Sequence, residues 1–492
     1  MITWGVSALH HDASISVIKG DQILFAGHAE RYSKVKNDPF LNKDLIADAM
    51  KFGKPTDFVW YEDPWKKRSR YFYSGQYKKL LESPQRYLSK FFEKPKIKYV
   101  EHHKSHAAAG YYTSGFNNAA IIVADAIGEW TTLSVWEAKG RVLKCIHRLD
   151  YPNSLGLLYS AFTKLCGLKP NEEEYILMGM AAYDEPMFKN YILNQFVKDK
   201  SAPNFELRHN VHRGITNSFY EILVRDETNK FRIASSIQSI TEDFLCDLAY
   251  WTKRRIQSRN LVFMGGVALN CVANAKLAQL GIYENIWIMP NPGDAGSSIG
   301  AVAAADNRAI DWKGPYLGTD IDREFDIDQI CNILAKPGKE GIVGIANGRA
   351  EFGPRALGNR SLLANPTQPE IKDTVNEIKR RQKFRPFAPA ILQEYANEYF
   401  EMPLRKTPYM QYAVKCRNPE AFPAICHVDW TSRVQTVSEL DNPKFHALLT
   451  AFYNKTGCPM VLNTSLNIRG MPLVNTWGDA VEFSTKYNVP VF

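Results

Sequence analysis

No apolar run in these 492 residues approaches the roughly 20 that a bilayer-spanning helix requires, which excludes a transmembrane helix. The first residues, Met1-Ile2-Thr3-Trp4-Gly5, lack the basic region and apolar block of a secretory leader. The eight cysteines are scattered and include no CxxC pair. Most lie in apolar surroundings such as Leu165-Cys166 and Leu245-Cys246, and they read as reduced core residues of a cytoplasm-like compartment. What is present is the composition of a globular chain, 45% hydrophobic and 12% aromatic, too long for one core. Two or three domains are expected.

The formal charge of +9 is concentrated. Between Trp65 and Lys98 eleven Lys and Arg face two acids, a local surplus equal to that of the whole chain. Tyr71, Phe72, Tyr73, Tyr77, Tyr87, Phe91 and Phe92 are interleaved with them. Basic charge attracts phosphate backbones and aromatic faces stack on bases, so nucleic-acid contact is one reading. A solvated helical pair with its aromatics turned to the core is the other.

The run Glu101-His102-His103-Lys104-Ser105-His106-Ala107-Ala108-Ala109-Gly110 organises the rest. Its alanines favour helix, and the i, i+4 spacing stacks His102 and His106 on one face, where two imidazoles can share a transition metal. Ala119 to Ala124 reads as a buried strand delivering Asp125 to its C-terminal tip. Two His and one Asp suit Fe, Mn or Zn and leave coordination positions open. An isolated HxxxH is commonly just part of a helix, so the other motifs decide.

Residues 3–8, 13–18 and 22–26 read as three strands, with a His10-His11-Asp12 loop and a Lys19-Gly20-Asp21 turn. The same grammar returns from Ile121, through a loop at Asp125–Trp130, strands at 132–136 and 141–146, and a Lys139-Gly140 turn. This predicts a duplicated α/β architecture whose polar loops face a cleft. An apolar stripe from Ile233 to Trp251 predicts a helix ending in Lys253-Arg254-Arg255. Two strand–Gly loop–helix units follow, at Gly265-Gly266 before Asn270 and at Pro292-Gly293-Asp294, each able to present backbone N–H groups to phosphate. Asp294 stands on a strand-end loop where it can supply a fourth metal ligand.

A Gly/Pro link at 311–320 marks a domain boundary. Beyond it come Gly353-Pro354-Arg355-Ala356-Leu357-Gly358-Asn359-Arg360-Ser361, Phe384-Arg385-Pro386-Phe387-Ala388-Pro389, His427-Val428-Asp429-Trp430 leading to Arg433, and Asn463-Thr464-Ser465-Leu466-Asn467. Arginines in stiffened loops are poor core residues, and their forked donors fit phosphate or carboxylate oxygens. Four such loops predict an anion pocket.

Together with GGVALN, NPGDAGSS, HHKSHA and the N-terminal His-Asp-Ala-Ser, these motifs resemble the O-carbamoyltransferases of the nodulation and antibiotic-biosynthesis type across nearly the whole chain. The resemblance implies a Kae1-like, duplicated actin-like domain over 1–315 and a YrdC-like α/β domain over 316–492. The latter would make carbamoyl adenylate from carbamoyl phosphate and ATP, with Mg possible beside ATP. The former would pass the carbamoyl group to an acceptor hydroxyl. The resemblance assigns His102, His106, Asp125 and Asp294 to one divalent metal, typically Fe(II), with Mn or Zn as alternatives. It makes His11 the acid/base residue and puts Lys36, Gly156, Gly265, Gly266, Asn270 and Gly293 at the nucleotide. Arg355, Arg385, Arg433, Asn463 and Ser465 match the carbamoyl phosphate and ATP contacts. It implies a cytoplasmic enzyme of a bacterial or virus-infected bacterial cell.

Three positions depart from the family pattern: Ile176 stands for a usual Lys, Trp430 for a Gly and Ala126 for a Gly. Relatives also run on past Val489-Pro490-Val491-Phe492. Threonylcarbamoyladenosine-type tRNA modification and a sugar-kinase-like phosphotransferase are the competing activities, and a bare nucleic-acid-binding module is the non-catalytic one. The basic 65–98 stretch makes a hydroxymethyl pyrimidine in DNA the expected acceptor, with a sugar, aminoglycoside or other small alcohol as the alternative.

Overall fold

Alternating β-branched and aromatic residues build the first sheet. Strands β1 (Ile2–Ser7), β2 (Ser14–Lys19), β3 (Gln22–His28), β4 (Asp57–Trp60) and β5 (Ile97–Tyr99) lie in the order β3-β2-β1-β4-β5. β2 runs antiparallel to β1, whereas β4 and β5 run parallel to it. A second sheet repeats the plan with β6 (Asn118–Ala124), β7 (Thr131–Lys139), β8 (Val142–Asp150), β9 (Asn260–Met264) and β10 (Asn285–Trp287) in the order β8-β7-β6-β9-β10. Here β7 is antiparallel and β9 parallel to β6, so the duplication expected from the two hairpins is present strand for strand. The first unit of this computed structural model holds both sheets, in Met1–Ala26 and Pro39–Trp312. The structure describes residues 1–215, 218–382 and 385–492, and Phe384 of the second arginine motif lies outside them.

β6 is buried except at its first residue, which is why it reads as a continuous apolar run and not as an alternation. The Glu227–Arg255 helix buries Ile233, Ile237, Ile240, Phe244 and Leu248. Each such side chain contributes about 1.5–3 kcal/mol of transfer free energy. The His102–Thr113 and Ser297–Asp306 helices are small-residue helices that approach closely: a Cβ on Gly300 would lie 1.9 Å from the Ser105 carbonyl oxygen. That contact brings the two metal-candidate segments together.

The second unit comprises Lys313–Phe492 and an excursion of the N-terminal chain, Gly27–Asp38. A single cut near 315 therefore describes the C-terminal part but misses these twelve residues. Buried Arg31 donates to the carbonyl oxygens of Glu351 and Gly353, Lys34 pairs with Asp479, and the Tyr32 hydroxyl meets Thr319 Oγ1. The unit's sheet contains β11 (Ile342–Ala346), β12 (Arg360–Ala364), β13 (Ala388–Leu392), β14 (Gln435–Val437) and β15 (Met460–Ser465), ordered β11-β12-β15-β13-β14. β15 is antiparallel to both neighbours, with Leu363 and Ala388 opposite Asn463. The fold is thus mixed α/β throughout. Among the described residues no helix is long and apolar enough to cross a membrane.

Candidate functional site

In the first unit, one ligand atom from each of His102, His106, Asp125 and Asp294 lies within 4.8 Å of the others, and all four residues are buried. The i, i+4 histidines bring their Nε2 atoms to 3.0 Å. Asp125, just past β6, sets Oδ2 3.1 Å from His102 Nε2. Asp294 places Oδ1 3.4 and 3.3 Å from the Nε2 atoms of His102 and His106. Burial alone would push both imidazoles down, yet the facing carboxylates raise them. Burial likewise pushes the carboxyls up, and the imidazoles hold both well below their usual range.

The surrounding residues fix this geometry. Ser297 Oγ lies 3.1 Å from His106 Nδ1 and leaves Nε2 to face the carboxylates. Glu129 Oε1 accepts from the His102 backbone N–H, capping the helix with a carboxylate. Gly266 N–H donates to Asp125 Oδ1, and Gly265 (φ +91) admits no side chain, because a Cβ would lie 2.2 Å from the Ala124 carbonyl oxygen. Gly156 is also a close approach, its virtual Cβ 2.7 Å from the Asp125 carbonyl oxygen. Asn270 caps the Cys271–Gln279 helix and bonds Gln238, while Gly293 faces open space. Two imidazole nitrogens and two carboxylate oxygens, converging and buried, fit a divalent first-row metal better than an all-oxygen ion. His103 is separate: it faces Ser134 Oγ and is pushed down by burial.

His11 lies in the β1–β2 loop, with Nε2 3.7 Å from Asp294 Oδ2 and Nδ1 3.2 Å from Asp12 Oδ2. Burial lowers its basicity, but Asp294 and Asp12 prevail and raise it to about 10. With 35% of its side chain exposed, it borders both the metal-candidate cluster and solvent. Lys36, grouped from sequence with the glycine loops, instead belongs to the second unit.

The second unit places Asn463 at the centre of its sheet, where the side-chain amide donates to the Ala356 carbonyl oxygen and to Gln435 Oε1. Asn463 thereby ties the loop after Arg355 to the strand after Arg433. Arg355, Arg385 and Arg433 are half-buried. Ser465 Oγ accepts from Lys379, a residue the sequence reading missed. Lys379 is 4% exposed and donates to Ser465 O, Ser465 Oγ, Asn467 O and Asn467 Oδ1. No carboxylate pairs with it among the described residues. Burial, then the charges of Arg381, Arg385 and Lys36, push its ammonium well below the usual range. A buried cation among cations, hydrogen-bonded only to neutral oxygens, is held at a desolvation cost.

Two expectations need correction. Arginines in stiffened loops are not all poor core residues: Arg360 is 0% exposed and donates to the carbonyl oxygens of Asn347, Gly348, Asn359, Thr319 and Asn475. Those five acceptors, not an anion, take its two terminal nitrogens. The basic 65–98 stretch is not uniformly solvated either, since Lys67, Arg70, Tyr71 and Tyr87 are buried while Trp65, Phe72, Tyr73 and Tyr77 are exposed. Trp430 holds φ +62, the left-handed region that suits the glycine it replaces.

Residues 61–303 match the family described as Carbamoyltransferase N-terminus, and residues 336–492 that described as Carbamoyltransferase C-terminus. An uncharacterised protein of Synechocystis sp. is 32% identical, over 97% of this chain and 93% of its own length. Nodulation protein NolO of Bradyrhizobium diazoefficiens is 31% identical, over 78% of this chain and 75% of its own. The 3'-hydroxymethylcephem-O-carbamoyltransferase of Amycolatopsis lactamdurans is 28% identical, over 96% of this chain and 94% of its own.

Proposed function

Because the chain belongs to the carbamoyltransferase family and is a transferase, we propose that it is an ATP-dependent O-carbamoyltransferase working through carbamoyl adenylate. In the first half-reaction carbamoyl phosphate loses phosphate to water, and the carbamate oxygen attacks the α-phosphorus of ATP, expelling pyrophosphate. In the second, an acceptor hydroxyl attacks the carbamoyl carbon, AMP leaves with the bonding pair, and one proton is lost. The first belongs to the second unit, read as YrdC-like, and the second to the duplicated unit, read as Kae1-like and actin-like.

The observation that carries this reading is the pairing of two unlike sites on one chain. Lys379, buried beside Ser465 and Asn467 with no carboxylate partner among the described residues, suits a small dense anion. Arg355, Arg385 and Arg433 supply forked donors for the remaining phosphate oxygens. In the first unit, His102, His106, Asp125 and Asp294 would hold one divalent ion, Fe(II) being the preferred reading. Such an ion supplies Lewis-acid polarisation and offsets phosphoryl charge. His11, hydrogen-bonded to Asp12 and with Nε2 turned toward Asp294, would be the acid/base residue at the acceptor hydroxyl. The glycine loops at Gly156, Gly265, Gly266 and Gly293, with Asn270, would border the adenylate in the same unit.

The acceptor is read as a hydroxyl, foremost that of a hydroxymethyl group. One reading puts it on a pyrimidine of DNA, supported by the exposed aromatics Trp65, Phe72, Tyr73 and Tyr77 amid basic charge. The other puts it on a small-molecule alcohol, supported by the burial of Lys67 and Arg70, which removes two cations from the surface. Incubation with ATP, carbamoyl phosphate and each acceptor, with mass spectrometry for the carbamoyl gain, decides between them. Modification of neither, with no pyrophosphate released, would overturn the adenylate reading itself.

A further inference from the structure

The face of the Pro64–Tyr73 helix opposite its exposed aromatics carries two cations into the protein, and neither is absorbed by the chemistry above. Lys67 is 4% exposed and paired with Glu62 Oε1. Arg70, one turn on, is 3% exposed, and its guanidinium makes no hydrogen bond or ion pair among the described residues; its Nε is sealed from solvent and unpartnered. The Tyr71 ring lies 5.2 Å from its Cζ. The acids nearby do not balance the group. Glu62 and Glu82 face Lys67, Lys79 and Arg70 around Tyr71, which leaves one positive charge in excess.

The surplus charge bears on the transfer site. His10 feels Lys67, Arg70, His11 and Asp294 together, and its ring stands 5.2 Å from that of His11. His212 adds a polar edge on the Arg70 side. A guanidinium buried without a carboxylate is held at a cost that a bound anion offsets, and its fork is shaped for two oxygens.

We propose that Arg70, assisted by Lys67 and His10, forms an anion-recognition subsite next to His11 that takes a carboxylate or phosphate carried by the acceptor alcohol. The inference rests on the reading that transfer occurs at His11. An anionic substituent held there leaves the hydroxyl free to meet His11, so the subsite selects acceptors by charge as well as by the hydroxyl. It also gives the basic stretch a second use, with charge inside the molecule and aromatics outside.

Crystals of the full chain soaked in sodium bromide provide a site-resolved probe. A bromide against the Arg70 guanidinium, absent in Arg70→Gln, is expected, and no anion at wild-type Arg70 overturns the proposal. Kinetics supply the second readout, using 5-hydroxymethylcytidine against its 5′-monophosphate and a 3-hydroxymethylcephem acid against its methyl ester. The metal-loaded enzyme should prefer the anionic member of the pair it turns over by about 10- to 100-fold in kcat/KM, and Arg70→Gln should lose that preference through KM. The two pairs separate phosphate from carboxylate as the source. Pyrophosphate release from ATP with carbamoyl phosphate should be unchanged in Arg70→Gln. A raised KM for ATP in that variant would instead give Arg70 to the nucleotide and overturn the acceptor assignment. If wild type released no pyrophosphate, the adenylate reading would fail while the bromide result still judged the subsite.

Discussion

Replacing Lys379 by Met removes a cation that the fold buries with no carboxylate partner among the described residues. Its four oxygen neighbours, at 2.9–3.1 Å where the separation is of ordinary length, are neutral. Burial and the charges of Arg381, Arg385 and Lys36 lower its proton affinity. The sign of the linkage follows. Between the lowered folded value and about 10.4, the unfolded chain binds more protons, so this residue makes stability rise with pH. A bound phosphate dianion acts in the opposite direction and restores the ammonium. Between the free and bound values, binding of carbamoyl phosphate should therefore take up a proton, up to one per site. Affinity should fall by up to tenfold per pH unit between the free and bound values, since about 1.4 kcal/mol corresponds to tenfold. Calorimetry in two buffers of different ionisation heat reads that proton directly. Lys379→Met should abolish the uptake and weaken binding by about 10- to 150-fold, the loss of one charge-assisted hydrogen bond of about 1.5–3 kcal/mol. Wild-type affinity in the variant, or binding without proton uptake in the wild type, would refute the reasoning.

His106→Ala should lower bound metal to a small fraction of one equivalent by elemental analysis and abolish carbamoyl transfer, because one of four convergent ligands is lost. Arg385→Ala should stop pyrophosphate release from ATP with carbamoyl phosphate, whereas His11→Ala should retain it and lose only transfer; the opposite pattern would exchange the two units' roles. Arg360→Met should leave five carbonyl oxygens without their donor and cost on the order of 3–5 kcal/mol in chemical denaturation. In that variant the KM for carbamoyl phosphate should stay unchanged in whatever fraction remains folded.

What was legible in the sequence was local. The repeated hairpins announced themselves by alternation and turn residues, and the structure returns both with the same strand order. The His102–His106 pair and the strand-end Asp125 could be placed because helix and strand periods fix where their side chains go. Asp294 joins them through small residues, Gly300 against Ser105, that let two helices touch. Other features had no local signature. Residues 27–38 belong to the second unit through Arg31, whose partners lie more than 300 positions away, and no composition shift marks the excursion. Lys379 ends a short amphipathic helix, where a lysine ordinarily reads as a solvated C-terminal charge; only the return of Ser465 and Asn467 over it turns it inward. Arg360 and Arg70 show why motif arithmetic alone cannot sort arginines. Both are buried and both come from runs that read as basic, yet five carbonyl oxygens take the terminal nitrogens of one, while the other has no hydrogen-bond partner among the described residues. A guanidinium's role is set by what closes around it, and closure is decided by contacts between distant segments that residue spacing does not encode.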